Sequence, residues 1–266
     1  MEPDTVITRT VIQRFRSARI AEHGLHIFLF GALVITGISQ KYHGSDLSLW
    51  LIVQMGGIDW VRMVHRFAGL LFTLAICTHL LIAVFGIVVR RWQPALLISK
   101  KDIDDAVHNV RYYIGLEPRP ASGGRFTYEQ KFEYWGILTG GLIMILSGLL
   151  LWKPVLVTRF LPGETIPAAK VLHSNEALVV FLIIAGWHIY NAIFSPAVFP
   201  MNMSIFTGTI SRERMKEDHL LELARIERRS PDEVLREDAA ESGRSARRSD
   251  GRDAEEGDSP PETSLL

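Results

Sequence analysis

Residues Val171–Phe194 read VLHSNEALVVFLIIAGWHIYNAIF, an apolar run with two histidines fifteen residues apart, His173 and His188. On an α-helix this separation is a rise of about 22 Å, at about 1.5 Å per residue. Fifteen steps of about 100° come to four turns plus about 60°, so both imidazoles lie on nearly one face. Ionisable side chains are costly inside a membrane and usually face the interior of a bundle, where they meet a partner. The run therefore predicts a membrane helix with a functional ring near each end.

Three further stretches of the 266-residue chain are largely free of Lys, Arg, Asp and Glu over similar lengths. A helix needs about 20 apolar residues to cross the hydrocarbon core of a bilayer. We therefore predict an all-α integral membrane protein, a bundle of four transmembrane helices at about residues 23–40, 64–90, 134–153 and 172–195. We expect it in the cell inner (cytoplasmic) membrane, with lipid and no nucleic acid among its partners.

The loops between these spans differ in basic charge. Four arginines precede the first span and eight basic residues separate the second from the third, whereas the other two loops hold few. By the positive-inside rule, both termini then face the cytoplasm. Residues 1–22 form a cytoplasmic N-terminal segment, residues 23–210 the four-helix domain, and residues 211–266 a charged cytoplasmic tail. From about Ser211 the tail begins with a charged stretch that predicts a helix, SRERMKEDHLLELARIERR. The residues after it have too little apolar content to fold, so we predict that the tail is largely disordered.

The second span contains a histidine pair that matches the pair in the fourth. His65 and His79 are fourteen residues apart, which is four turns minus about 40° and a rise of about 21 Å. Spans two and four cross the membrane in the same direction, so His65 and His173 lie near the outer face, and His79 and His188 near the inner face. His23, at the start of the first span, also lies at the inner level.

Imidazoles from facing helices are the ligands that a haem iron needs. Each offers one nitrogen lone pair, and two fill both axial positions. An iron ligated on both sides has no open position for O2 or a substrate, so it passes electrons. Two b haems stacked across a bilayer core of about 30 Å would make an electron path between the two faces. The haems would be held noncovalently, because Cys77 is the one cysteine and no Cys-x-x-Cys-His motif exists.

Two other features near the spans have less specific interpretations. Arg66 directly follows His65, and it is either an ion-pair partner for a propionate of the outer haem or an interfacial anchor. The segment Gln93–Leu116 mixes apolar and charged residues at helical spacing, which predicts a helix along the membrane interface. The remaining histidines are interpreted as structural or solvated groups: His26, His43, His108 and His219.

Several motifs occur in a characteristic order. They are a histidine thirteen residues before Thr36-Gly37, MVHRFAG at 63–69, ILSGLLLWKP at 145–154, LH…WHIY in the fourth span, and FSPAVFPMNMSIFTG at 194–208. In this order they resemble the cytochrome b (gamma) subunit of membrane-bound formate dehydrogenases, a family shared with the cytochrome b subunit of nickel–iron hydrogenases. The last motif is similar to a subgroup described as cytochrome b domain proteins. The resemblance covers about residues 14–211 and implies four helices, two b haems, a membrane quinone and companion subunits that oxidise a donor at the outer face.

The resemblance also implies a ligand set. By position, His23, His65, His173 and His188 match the family's haem ligands, whereas His79 departs from the formate dehydrogenase pattern. His79 is similar instead to a ligand in the cytochrome b of quinol–cytochrome c complexes, where two spans supply two ligands each. We assign the outer haem to His65 and His173, and the inner haem to His188 with one of two partners. The position of His23 in the family pattern favours His23, and His79 would then hydrogen-bond a propionate or a bound quinone. The spacing of His65 and His79, which matches that of His173 and His188, favours His79 instead.

Three functions stay open from the sequence. The first is a dihaem b subunit that carries electrons between a periplasmic redox subunit and the quinone pool, without catalytic residues of its own and not a complete enzyme. That partner would be of the iron–sulfur, molybdopterin, hydrogenase or multihaem cytochrome c type. The second is the haem core of a bc-type quinol-oxidising complex. The third is a haem-free four-helix membrane scaffold.

Overall fold

The computed structural model of the protein describes residues 11–195 and 198–236. Its α-helices, in chain order, are α1 Ser17–Lys41, α2 Asp46–Gln54, α3 Ile58–Val88, α4 Lys100–Tyr113, α5 Tyr128–Trp152, α6 Pro154–Val157, α7 Thr165–Ile183, α8 Ser204–Thr207 and α9 Arg212–Glu227. Two short strands, β1 (Val11–Gln13) and β2 (Thr209–Ser211), form an antiparallel pair.

Four helices are long and apolar enough to cross a membrane, which confirms the predicted fold class. They are α1, α3, α5 and a fourth helix that runs from Thr165 to Phe194 through α7 and its continuation. These helices begin at residues 17, 58, 128 and 165, earlier than the expected 23, 64, 134 and 172. The expected starts follow the last charged residues, but a helix begins at its cap: the Thr127 hydroxyl accepts a hydrogen bond from the backbone N–H of Gln130.

The four long helices pack as two pairs. α1 packs most extensively on α3, and α5 on α7, whereas contact between the two pairs is more limited. Many large apolar side chains on the outside of the bundle are exposed, among them Phe28, Leu81, Leu146 and Leu182. This surface is suited to a membrane, because the outer face of a membrane helix contacts lipid chains and not water.

The fourth span changes from α to π geometry before it ends. Residues Ile184–His188 and Tyr190–Phe194 are π-helical. A π turn closes i→i+5 hydrogen bonds and holds an extra residue, so it rotates everything after it relative to an ideal α-helix. The regular 100° step therefore does not give the true angle between His173 and His188 about the helix axis. Such π segments are frequent at functional sites.

α4 lies beside the start of α5, with polar side chains buried and apolar ones exposed. Asp102 and Lys131 form an ion pair at 2.8 Å in which both side chains are largely buried. The buried Asn109 side chain accepts a hydrogen bond from the backbone N–H of Ala121 at 2.7 Å. A stripe of apolar side chains is exposed on the helix: Ile103, Val107, Val110 and, just beyond its end, Ile114. This arrangement is the one expected of a helix on a membrane surface.

A small compact unit covers the end of the bundle at which α1 begins. It consists of β1, β2, α9 and residues 230–236, and we call it the end cap. Val11 pairs with Ser211 and Gln13 with Thr209 across the two strands. Its core is a cluster of buried residues: Ile210, Met215, Leu220, Leu223, Ala224 and Val234.

The helix that we predicted from about Ser211 is α9, whereas residues 230–236, predicted to be disordered with the rest of the tail, pack into the end cap. Residues 212–227 and 231–236 are helical, and Val234 is fully buried. The tail has few apolar residues, but they fall on one face and Ile12 from the N-terminal strand packs against them. The core is thus shared by two distant segments, and the composition of neither segment alone indicates it. Residues 237–266 lie outside the described residues.

Candidate cofactor site

Four histidines meet in two pairs, one toward each end of the bundle. The ring centroids of His65 on α3 and His173 on α7 are 6.3 Å apart, with an angle of 80° between the ring planes. The ring centroids of His23 on α1 and His188 on the fourth span are 6.2 Å apart, with planes at 52°. Each pair therefore joins one helix of the α1–α3 pair to one helix of the α5–α7 pair.

Both separations fit an iron held between two imidazoles. When each ring nitrogen lies about 2.0 Å from a shared metal on opposite sides, the two ring centroids lie about 6 Å apart. No group of three or more His, Cys, Asp or Glu side chains able to hold a metal occurs among residues 11–195 and 198–236. A metal with only two protein ligands suits a macrocycle that supplies the other four itself. The donor set thus fits a haem in each pair.

The rings of the His65–His173 pair are each bonded to a buried hydroxyl. Nδ1 of His65 lies 2.8 Å from Oγ1 of Thr36 on α1, and Nδ1 of His173 lies 2.9 Å from Oγ of Ser147 on α5. In both histidines the contact with the hydroxyl uses Nδ1 and not Nε2. Nε2 is therefore the atom available to an iron in this pair.

The His23–His188 pair has a different environment. Nδ1 of His188 lies 2.7 Å from Oε1 of Glu133, whose side chain is 14% exposed. Within the described part of the chain this oxygen has no well-aligned hydrogen bond. Phe206 of α8 packs edge-on against the His23 ring at 6.3 Å. This end of the bundle thus places a carboxylate, rather than a neutral hydroxyl, beside a candidate ligand.

His79 lies at the same end but is bonded through both ring nitrogens. Its Nδ1 is 2.6 Å from Oε1 of Glu22, and its Nε2 is 2.9 Å from the hydroxyl of Tyr134. Glu22 also pairs with Arg19 at 2.5 Å, and its backbone carbonyl accepts from Nδ1 of His26 at 2.7 Å. The structure therefore brings His23, and not His79, against His188.

Arg66 lies at the opposite end of the bundle, beside the His65–His173 pair. Its side chain is exposed and has no acidic partner within the described residues. Together with Arg62, Phe67 and Trp152 it lines an open cleft of about 420 Å³. Both interpretations of Arg66, the propionate partner and the interfacial anchor, stay predictions.

Five side chains that contact the histidines were not anticipated from the sequence: Glu22, Thr36, Glu133, Tyr134 and Ser147. The two acids stand just outside the charge-free stretches, where a carboxylate usually marks the membrane boundary. The two hydroxyls belong to residue types that commonly bond a carbonyl of their own helix. The available signal is that both hydroxyl–glycine steps, Thr36-Gly37 and Ser147-Gly148, lie within the motifs quoted above.

The comparisons with known proteins point to one family. A family model described as prokaryotic cytochrome b561 matches residues 14–203. The formate dehydrogenase cytochrome b556(fdo) subunit of Escherichia coli (strain K12) is 26% identical over 189 residues, which cover 70% of this chain and 81% of that subunit. The nitrate-inducible formate dehydrogenase cytochrome b556(Fdn) subunit of the same strain is 23% identical over 197 residues, or 74% and 83% of the two chains. The formate dehydrogenase cytochrome b556 subunit of Haemophilus influenzae is 24% identical over 185 residues, or 70% and 72%. The resemblance inferred from the motifs is confirmed.

Proposed function

This chain belongs to the prokaryotic cytochrome b561 family, as a multi-pass inner-membrane electron-transfer protein of the haem b type, and we propose that it is the dihaem b subunit of a respiratory oxidoreductase. In this role it carries electrons between a redox partner subunit at the outer face and the membrane quinone pool. The observation that supports two haems is the pair of histidine contacts, 6.3 Å and 6.2 Å between ring centroids, toward the two ends of one bundle.

We assign His65 and His173 as the residues that would hold one haem, and His23 and His188 as those that would hold the other. Two protein ligands on each iron would leave no coordination position for a substrate, so each haem would supply one-electron transfer and no further chemistry. His173 and His188, one from each pair, are fifteen residues apart on the fourth span, a rise of about 20 Å. The two histidine pairs are therefore stacked along the bundle and would span most of a bilayer core.

The proposed orientation follows from the basic loops, which put both termini and the end cap in the cytoplasm. The His65–His173 pair then lies near the outer face, beside a partner of the iron–sulfur, molybdopterin, hydrogenase or multihaem cytochrome c type. The relatives are subunits of formate dehydrogenases by name, which supports a partner that oxidises a donor. The His23–His188 pair lies at the inner end, next to the polar groups of Glu22, His79 and Tyr134. We place the quinone at this end.

The bc-type arrangement requires His79 as the partner of His188. In the described structure both ring nitrogens of His79 are bonded, to Glu22 and to Tyr134, whereas His23 faces His188. These contacts favour the first function over the second. They give His79 the task of orienting Glu22 and Tyr134 near the inner pair.

The experiment that tests the function is a quinol reduction assay on the purified chain in liposomes. Short-chain analogues of menaquinol and of ubiquinol are added under argon, and haem reduction is followed by absorbance in the α band. We expect at least one quinol to reduce both haems. We expect His23→Ala to lose the faster phase of haem reduction, because it removes a ligand of the haem that lies next to the proposed quinone site. A chain that contains its haems but is reduced by neither quinol would rule out a quinone-linked role.

A further inference from the structure

His65 and His173 are each contacted by a hydroxyl residue followed by a glycine, on a helix other than their own. Thr36-Gly37 on α1 faces His65, and Ser147-Gly148 on α5 faces His173. We propose that these two hydroxyl–glycine steps are positioning elements, which fix the tautomer and the orientation of both imidazoles so that Nε2 of each would be presented to the iron. The inference rests on the proposed function, since it concerns the ligands of one of the two haems.

The hydrogen bonds of each hydroxyl determine where the imidazole proton lies. Oγ1 of Thr36 is 2.6 Å from the carbonyl oxygen of Ala32, and a carbonyl can only accept. A hydroxyl has one proton, so at this distance the proton is directed to Ala32. The bond of 2.8 Å to His65 must then be donated by Nδ1–H of the imidazole. Nε2 is left with the lone pair that a metal needs.

Ser147 reproduces this arrangement on α5. Its Oγ is 2.7 Å from the carbonyl oxygen of Ile143 and 2.9 Å from Nδ1 of His173. The hydroxyl proton goes to Ile143, so Nδ1–H of His173 is again the donor. Thr36 and Ser147 are 1% and 2% exposed, so water does not compete for either bond.

The glycine after each hydroxyl residue lets the ring lie against the helix backbone. A Cβ atom at Gly37 would be 3.3 Å from Cε1 of His65, and one at Gly148 would be 3.1 Å from Cε1 of His173. Cε1 lies between the two ring nitrogens, so the ring is held at Nδ1 by the hydroxyl and at Cε1 by the backbone. A side chain at either glycine would press on the edge of the ring and tilt Nε2 away from its present direction.

The second histidine pair provides a reference within the same molecule. Nδ1 of His188 lies beside the carboxylate of Glu133, and no hydroxyl–glycine step contacts that ring among the described residues. Hydrogen bonds to an axial ligand raise its basicity, and that basicity is one of the factors that set a haem potential. Removing Thr36 or Ser147 should therefore raise the potential of one haem and leave the other where it is.

The test uses the full chain, purified with its haems, as wild type and as a set of single substitutions. Thr36→Val and Ser147→Ala delete the hydroxyls, and Thr36→Ser and Ser147→Thr retain them. Ser39→Ala is the matched control, because Ser39 is also fully buried on α1 and donates to the carbonyl of Ile35 at 2.7 Å, and this hydrogen bond does not involve a histidine. The readouts are a redox titration of the two haems and the EPR spectrum of the ferric low-spin signals, which responds to the orientation of the axial rings.

We expect each hydroxyl deletion to raise the potential of the same haem and to move its largest g value, with the other haem unchanged. The hydroxyl-retaining variants and Ser39→Ala should match the wild type. Gly37→Ala should alter the same EPR signal, because a Cβ at this position would be 3.3 Å from Cε1 of His65.

Each other outcome has a definite meaning. Complete loss of one haem in Thr36→Val, with both haems kept in Thr36→Ser, would also support the proposal. It would be overturned if both deletions left both haems unchanged, if both haems shifted equally, or if Ser39→Ala or Thr36→Ser had the same effect as Thr36→Val. A wild-type chain without haem would refute the proposed function itself, whereas two haems with unaffected variants would refute this inference alone.

Discussion

At the scale of the residue, His23 and His79 lie at the same end of the bundle, but only His23 faces His188. His79 is bonded at both ring nitrogens, whereas the His23 ring is 6.2 Å from that of His188. We expect His23→Ala to lower the haem content from about two to about one per chain, because it removes an axial ligand. His79→Ala should keep both haems and shift the potential of one. Low-temperature absorption spectra of the two variants separate these results, and the reverse pattern would establish the bc-type arrangement.

His219 yields a prediction on pH dependence. The sequence suggested a solvated histidine, but the side chain is 2% exposed and its Nδ1 donates to the carbonyl of Gly124 at 2.7 Å. Burial, reinforced by the charge of Arg14, lowers the pKa of His219 from 6.5 to about 4. The folded end cap therefore disfavours the protonated form that the unfolded chain adopts below pH 6.5. The stability that the neutral ring contributes is fully present above pH 6.5 and is lost as the pH falls toward 4.

The measurement is the rate of limited proteolysis within α9 between pH 7 and pH 4. We expect the wild type to become steadily more sensitive over this interval, and His219→Gln to show a flatter profile. His43→Gln is the control, since His43 is exposed beyond the opposite end of α1. An equal pH dependence in the wild type and His219→Gln would contradict the assignment.

At the scale of the element, the end cap should depend on the residues that follow α9. Val234 is fully buried in the same cluster as Leu223, and full burial of such a side chain is worth about 1.5–3 kcal/mol. A chain ending at Arg236 should keep the end cap as stable as in the full chain, whereas one ending at Arg229 should lose about that amount. The difference in stability between the two chains is measured by heating each of them and monitoring the unfolding of α9 by its sensitivity to a protease.

A substitution in the full chain checks the same point without shortening it. Val234→Ala should destabilise the end cap in the direction of the shorter chain, by about 1–2 kcal/mol for the methyl groups removed. Asp232→Ala, at an exposed position two residues earlier, should have little effect. If the chain ending at Arg229 and Val234→Ala both retained full stability, the packing of this segment would not contribute to the end cap.

The elements differ in how far the sequence could predict them. The four spans follow from the absence of charge, because a charge in the hydrocarbon core is costly over a whole segment. No local sequence pattern predicts the π-helical geometry of Ile184–His188, since this geometry depends on packing. The helix α9 was predicted, but its place in the end cap was not, because it shares a core with β1 about two hundred residues earlier in the chain. The composition of either segment alone does not indicate this shared core.

At the scale of the whole molecule, the histidine pairs were easier to anticipate than their supports. A histidine inside a membrane span is rare enough to indicate a partner, and regular spacing gave the depth of His65, His173 and His188. Which ring meets His188 could not be decided, because it depends on the contacts of Glu22 and Tyr134 with His79. Those contacts join three helices, and no single stretch of sequence contains them.

The two halves of the bundle are built alike around the His65–His173 pair. In each half, a hydroxyl–glycine step on one helix supports a histidine on the helix packed against it: Thr36 of α1 with His65 of α3, and Ser147 of α5 with His173 of α7. The candidate site is therefore distributed over all four spans. It forms only when both helix pairs are assembled.

The most direct test of the account is the haem content of the purified full chain in mild detergent, by pyridine haemochrome absorbance against protein concentration. We predict about two haems per chain, with the spectrum of haem b and full extraction into acidic acetone, since Cys77 is the one cysteine. Each of His65→Ala and His188→Ala should then retain about one. A wild-type chain with no haem, or with one haem that survives both substitutions, would contradict the assignment of two histidine pairs to two irons.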